Sequence, residues 1–171
     1  METASYFPEF AGPLDFYIDQ ADEGCTTQQL DALFGTLRPA LAQLIQAQDP
    51  AARRAPDLLA QPFELDRQRD FARQVMSDFG FDVSRGVQAA APHPFMVRVG
   101  HRDIRIATRF DPQHLGPGLF STLHETGHAL YEQGVDESYL STPLGVGVSA
   151  GVHESQARLW ENLVGRSLPF W

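Results

Sequence analysis

"LHETGHALYEQG", Leu123 to Gly134, places two histidines four residues apart with a glutamate directly after the first. Positions i and i+4 of a helix share one face, so His124 and His128 can both point at one ion. Glu125 is rotated about 100° from His124, near enough to reach a water on that ion without being a ligand. On this reading the stretch is a helix built around a catalytic metal centre. The plainer reading is an amphipathic helix that carries two histidines. The flanks favour the metal, because Gly127 keeps the helix slim beside His128 and Leu123, Ala129 and Leu130 offer apolar backing.

A hydrolytic zinc site takes three protein ligands and keeps a fourth position for water. The third ligand should come from a separate element, and "HESQ" offers Glu154 near the start of a later helix. Glu161, on the same face of that helix, is the competitor; it could instead accept a hydrogen bond from a ligand histidine, or be an exposed helix charge. His153 adjoins Glu154 but should face a different direction, toward substrate or the helix cap. His93, His101 and His114 stand alone. The expected ion is Zn2+, with Co2+ or Mn2+ as substitutes, since geometry constrains the choice loosely. Glu125 is then the general base, taking a proton from the activated water and passing it to the leaving amine.

Bulk properties narrow the setting. A chain of 171 residues is expected to form one domain, 1–171, with a sizeable core. Net charge is −9 and no Lys/Arg cluster exceeds the pair Arg53–Arg54, so nucleic acid is not expected as a partner. No apolar run approaches the roughly 20 residues a bilayer span requires, and none is expected to meet a membrane. "METASYFPEF" has neither a basic region nor an apolar signal core. The single Cys25 excludes an internal disulfide and fits a reducing, cytoplasmic location.

The pattern along the chain predicts a mainly helical protein with one small antiparallel hairpin. "CTTQQLDALFGTLRPALAQLIQAQ" has a capping-box pair, Thr26 and Gln29, followed by Leu30, Leu33, Phe34, Leu37, Leu41, Leu44 and Ile45 at helical period. Pro39 is expected to bend that helix. "DPAARRAPDLLAQP" reads as an irregular connection. "DRQRDFARQVMSDFG" predicts a second helix with Phe71, Ala72, Val75, Met76 and Phe79 on one face and Gly80 at its C-terminal cap. "PFMVRVG" and "RDIRIATRF" alternate and predict two strands around "GHR". Pro117 predicts the first turn of the HETGH helix. "GVDESYLSTPLGVGVSAG" reads as a loop, and "VHESQARLWENLVGRS" as a last helix.

Together, "HPF" at His93–Phe95, "DIRIATRF" at Asp103–Phe110, "HETGHALYEQG" at His124–Gly134 and "GVHESQARLWENLVGRS" at Gly151–Ser167 resemble the carboxypeptidase Taq family of HExxH zinc metallocarboxypeptidases. The upstream "TTQQLDALFGTLRPAL" is similar too, so the resemblance runs from about Thr26 across nearly the whole chain. It implies a mostly helical, gluzincin-like, cleft-forming metallopeptidase core, cytosolic and commonly a homodimer, that removes C-terminal residues from peptides. Carried over by position, His124, His128 and Glu154 correspond to metal ligands and Glu125 to the general acid/base. Asp103, Arg105 and Thr108 or neighbouring strand residues correspond to a D-x-R-x-T signature, whose threonine is replaced here by Ala107.

The chain is shorter than the family. It lacks the counterparts of a later arginine-bearing motif, which holds the substrate's terminal carboxylate, and of a Gln-Asp-x-His-Trp segment, and is expected to be a short form or a fragment. Arg105 and Arg109, on one strand face, are the expected stand-ins for that cation, with His93 and His153 as further substrate contacts. Arg158 is expected to pair with a neighbouring helix carboxylate. The expected strand Asp103–Arg109 is read as an edge that pairs with an extended peptide. Weak or absent C-terminal trimming by this chain alone follows from this reading, with residual cleavage tolerant of a blocked C-terminus. Two alternatives stand beside it: a peptidase of relaxed or endopeptidase specificity, and a non-catalytic metal-binding remnant.

Overall fold

The computed structural model describes residues 3–49 and 57–171. Half of the connection expected over "DPAARRAPDLLAQP", with the pair Arg53–Arg54, lies outside the described residues. The chain divides into two compact units, Met1–Asp57 with Ser149–Gly151 and Leu58–Val148 with Val152–Trp171.

In the first unit, α1 (Pro13–Ala21) and α2 (Thr27–Gln46) follow a short 3-10 turn. Phe16 is the centre of a small aromatic group, stacked on Phe7 at 4.7 Å and edge-on to Phe10 at 5.6 Å. The α1 helix opens with Pro at its first position, where the missing N–H costs nothing. The capping box expected for α2 is present: Thr26 accepts from the Gln29 amide while the Gln29 side chain accepts from the Thr26 amide. The apolar stripe of α2 has helical period, yet none of its residues is buried. Asp22 accepts hydrogen bonds from the Ser149 hydroxyl and the Gly151 amide.

The second unit is built on α4 (Leu115–Gln133), preceded by α3 (Leu65–Asp78) and three strands, β1 (Gly86–Ala90), β2 (Phe95–Gly100) and β3 (Asp103–Thr108). Eleven of the nineteen residues of α4 are buried, so it is a core helix rather than a surface one. On one side Ala129 meets Ile104, Ile106, Met76 and Phe81. On the other, Leu119 and Leu123 pack with Val75, Phe79 and Phe170. Gly80, at φ +96°, ends α3 in the left-handed conformation that glycine adopts without strain. Pro117 stands in the first turn of α4, as expected, and His114 caps the helix, its ring accepting from the Gly116 amide.

The sheet differs from the expected hairpin. The β2–β3 antiparallel pair is present, but β1 adds to the far side of β3 in parallel, giving the order β1-β3-β2. The central strand is therefore β3, and both its edges are occupied. An extended peptide has no edge to pair with along Asp103–Thr108; the outer strands are β1 and β2, and β2 is the one whose residues line the cleft beside α4. Gln88 of β1 ties the layers together, donating to Thr108 on β3 and Thr122 on α4 at 3.0 Å each.

The last helix, α5 (Ala150–Arg158), runs into a π-helical turn over Leu159–Val164, a widening often found at functional sites.

Candidate metal centre

Gly127 sets the distance between the two helices that form the centre. A Cβ there would lie 2.6 Å from Ala157 Cα and 2.6 Å from the Gln156 carbonyl oxygen. Its absence lets α5 lie directly on α4. The contact brings Glu154 of α5 over the paired histidines of α4. Glu154 Oε2 is 3.6 Å from His124 Nε2 and 3.5 Å from His128 Nε2. One ligand atom from each of the three residues lies within 4.8 Å of the others. Ligands about 2.0–2.2 Å from a tetrahedral ion stand roughly 3.4 Å apart, so this donor set fits a divalent cation.

The remaining atoms of these groups are engaged elsewhere. His124 Nδ1 is 3.0 Å from Glu161 Oε2. A carboxylate can only accept, so the proton is on Nδ1 and the Nε2 lone pair faces Glu154. Glu161 also accepts from Arg158 at 3.4 Å and Arg166 at 3.2 Å. Arg158 donates to Glu154 Oε1 at 2.7 Å, leaving Oε2 for the histidines. Such second-layer contacts fix the rotamers of ligand side chains. His128 lies against His153, ring centroids 4.7 Å apart.

Glu125 is buried beside these candidate ligands, in a cleft of about 380 Å³ that it lines with His128, His153, Pro94, Phe95 and Met96. Burial pushes its carboxyl above the usual range, opposed by neighbouring His124. Burial also pushes the His128 imidazole down to about 4, helped by His124 and His153. Near neutral pH His128 is therefore an uncharged donor, the form in which an imidazole binds a metal.

The other expected contacts fall elsewhere. Asp103 and Arg105 pair with each other, at 2.9 and 2.7 Å, on the strand positions that alternate with buried Ile104 and Ile106. Arg109 and His93 are exposed. None of these four lines the cleft, although Pro94 to Met96, next to His93, do. Three groups near the candidate ligands carried no signal in the motif reading: Glu132, Gly147 and Arg98. Glu132 occurs inside the HETGH helix eight residues after His124, two turns along the same face, which is the pattern that could have exposed it.

The profile of the carboxypeptidase Taq (M32) metallopeptidase family matches residues 2–171. Thermostable carboxypeptidase 1 of Thermus thermophilus is 42% identical over 166 residues, which are 96% of this chain and 32% of that protein. Carboxypeptidase 1 of Bacillus subtilis is 35% identical over 161 residues, 93% of this chain and 32% of its own length. The crystal structure of the M32 carboxypeptidase from Deinococcus radiodurans superposes with a TM-score of 0.88 at 54% identity, over 97% of this chain and 33% of that one. The chain thus spans about a third of the length of the relatives it matches. With its HETGH helix, its HES helix and its whole described fold matched in this way, the chain belongs to the carboxypeptidase Taq (M32) metallopeptidase family.

Proposed function

We propose that the chain carries the hydrolytic centre of a zinc-dependent carboxypeptidase, with His124, His128 and Glu154 as ligands and Glu125 as general base and acid. The observation that carries this reading is the meeting of two Nε2 atoms and one carboxylate oxygen beside a buried glutamate that is itself no ligand. A divalent ion held by these three residues would supply Lewis acidity for the hydrolysis. Glu125, lining the cleft, would take a proton from the attacking water as the water's oxygen bonds to the carbonyl carbon. The same carboxyl then hands the proton to the amide nitrogen as the C–N bond breaks. Burial favours this role, because a carboxylate with a raised pKa accepts a proton more readily.

The substrate's backbone lies along β2, whose open flank borders the cleft at Phe95 and Met96. Main-chain pairing of that kind holds a peptide without reading its side chains, which suits an enzyme acting on many sequences. The names of the relatives support peptides cut at their C-termini. Zinc suits the nitrogen and oxygen donors, with cobalt or manganese as substitutes, and the reading includes a cytoplasmic enzyme that forms homodimers.

The test is metal content and peptide cleavage in three proteins: wild type, Glu125→Gln and His128→Ala. Glu125→Gln should keep its zinc and lose at least about 100-fold in rate, the usual worth of a general base. His128→Ala should lose both. Wild-type turnover by Glu125→Gln, or equal zinc in His128→Ala, would overturn the assignment. A free-acid peptide compared with its C-terminal amide reads the C-terminal preference.

A further inference from the structure

Each ligand histidine needs its Nδ1 proton held away from the ion, and the two are held differently. Glu161 does this directly for His124. The His128 Nδ1 faces no carboxylate but another imidazole, 2.6 Å from His153 Nδ1. His153 Nε2 in turn lies 2.9 Å from Glu132 Oε1. A carboxylate accepts, so the His153 proton is on Nε2 and its Nδ1 presents a lone pair. His128 must then donate through Nδ1, and its Nε2 lone pair is turned toward Glu154. We propose that Glu132 is a positioning residue for the metal centre, setting the tautomer and ring angle of His128 through His153.

The surroundings of Glu132 fit that task better than a simple structural one. Its side chain is 7% exposed, and a carboxylate so enclosed requires a reason. Arg98, 3.5 Å from Oε2, balances the charge from β2. Oε2 has no hydrogen-bond donor, so the other oxygen, Oε1, carries all the directional contacts. Oε1 accepts from the Gly147 amide at 3.1 Å as well as from His153. A Cβ on Gly147 would lie 2.9 Å from Glu132 Oε1, 2.9 Å from His153 Cδ2 and 3.0 Å from the Tyr131 ring, so only glycine can close over the pair. Packing and hydrogen bonds together leave the His153 ring one orientation, with Tyr131 edge-on at 5.1 Å.

This inference rests on the metal reading above, and the experiment separates the two. Ring-nitrogen NMR on the metal-free wild-type protein should find His128 protonated at Nδ1 and His153 at Nε2. Either opposite tautomer overturns the proposal without any mutation. Zinc affinity, measured by chelator competition, should fall roughly 10- to 100-fold in Glu132→Ala and in His153→Phe, with a mixed His128 tautomer in both. Glu132→Gln keeps an acceptor oxygen and should restore the His128 Nδ1–H signal. If Glu132→Ala does not fold, the half-buried His153→Phe and the wild-type tautomers decide alone. Wild-type affinity and tautomer in every folded variant, with zinc lost from His128→Ala, would sink this proposal and leave the ligand assignment standing. Failure of the wild type to bind zinc would remove both.

Discussion

Gly127→Ala is the smallest change that should take the centre apart. The new methyl would meet Ala157 Cα at 2.6 Å, where carbon atoms ordinarily stand about 3.5–4.0 Å apart. The nearest atoms are backbone, which cannot rotate away, so α5 must retreat by roughly 1 Å. Glu154 is three residues from Ala157 on the same helix and moves with it. Its Oε2 now lies 3.5 and 3.6 Å from the two imidazole nitrogens, close to the spacing of about 3.4 Å that a tetrahedral ion requires. A further ångström breaks that geometry and should weaken zinc binding about 100-fold. Stability has two opposing contributions. Alanine gains about 1 kcal/mol over glycine in a helix interior, whereas overpacking costs about 1–3 kcal/mol. The net expectation is a metal-free protein less stable by about 1 kcal/mol. Urea unfolding and chelator competition read the two effects. A variant more stable than wild type, with unchanged zinc affinity, would refute the claim that close helix approach assembles the site.

Two further outcomes test the electrostatics. The unfolded chain protonates His128 near the ordinary value of 6.5, while the folded chain resists to about 4. Stability of the metal-free protein is therefore full above about pH 6.5 and falls as pH drops toward 4, by at most about 1.4 kcal/mol per unit and less for the ring's solvent contact. His128→Gln should flatten that slope in denaturant melts; an unchanged slope would remove His128 as its source. Arg98→Met, which leaves buried Glu132 without its cation, should cost about 3–5 kcal/mol, whereas Arg105→Ala, from the exposed Asp103 pair, should cost under about 1 kcal/mol. Equal losses in the two would show that Arg98 and Glu132 are not a buried pair.

Local chemistry was readable in the chain wherever neighbours in sequence are also neighbours in space. The capping box of α2, the glycine that ends α3 and the face shared by His124 and His128 are all of this kind. The mainly helical class with a small sheet followed from the same periodicities. What escaped depends on distant partners. The "GVQAA" of β1 has no β-branched run to announce it and is a strand because β3 pairs with it. That missing strand turned an expected edge into the sheet centre. The leucines of α2 have the right period, but period reports a face and not what covers it. Gly127 was noticed for slimness beside His128, while its contact is with α5. Glu132 and Gly147 meet His153 only once the loop returns over α4.

The three candidate ligands ride on supports of unequal strength. Two belong to α4, enclosed along most of its length, and one to α5, where only Ala157 is buried. Local opening requires less free energy in a helix with one buried residue than in the centre of a core. The third arm of the chelate can thus swing out while both imidazoles stay in place. If these three residues hold an ion as proposed, its release would need only the opening of α5 and not the unfolding of the protein.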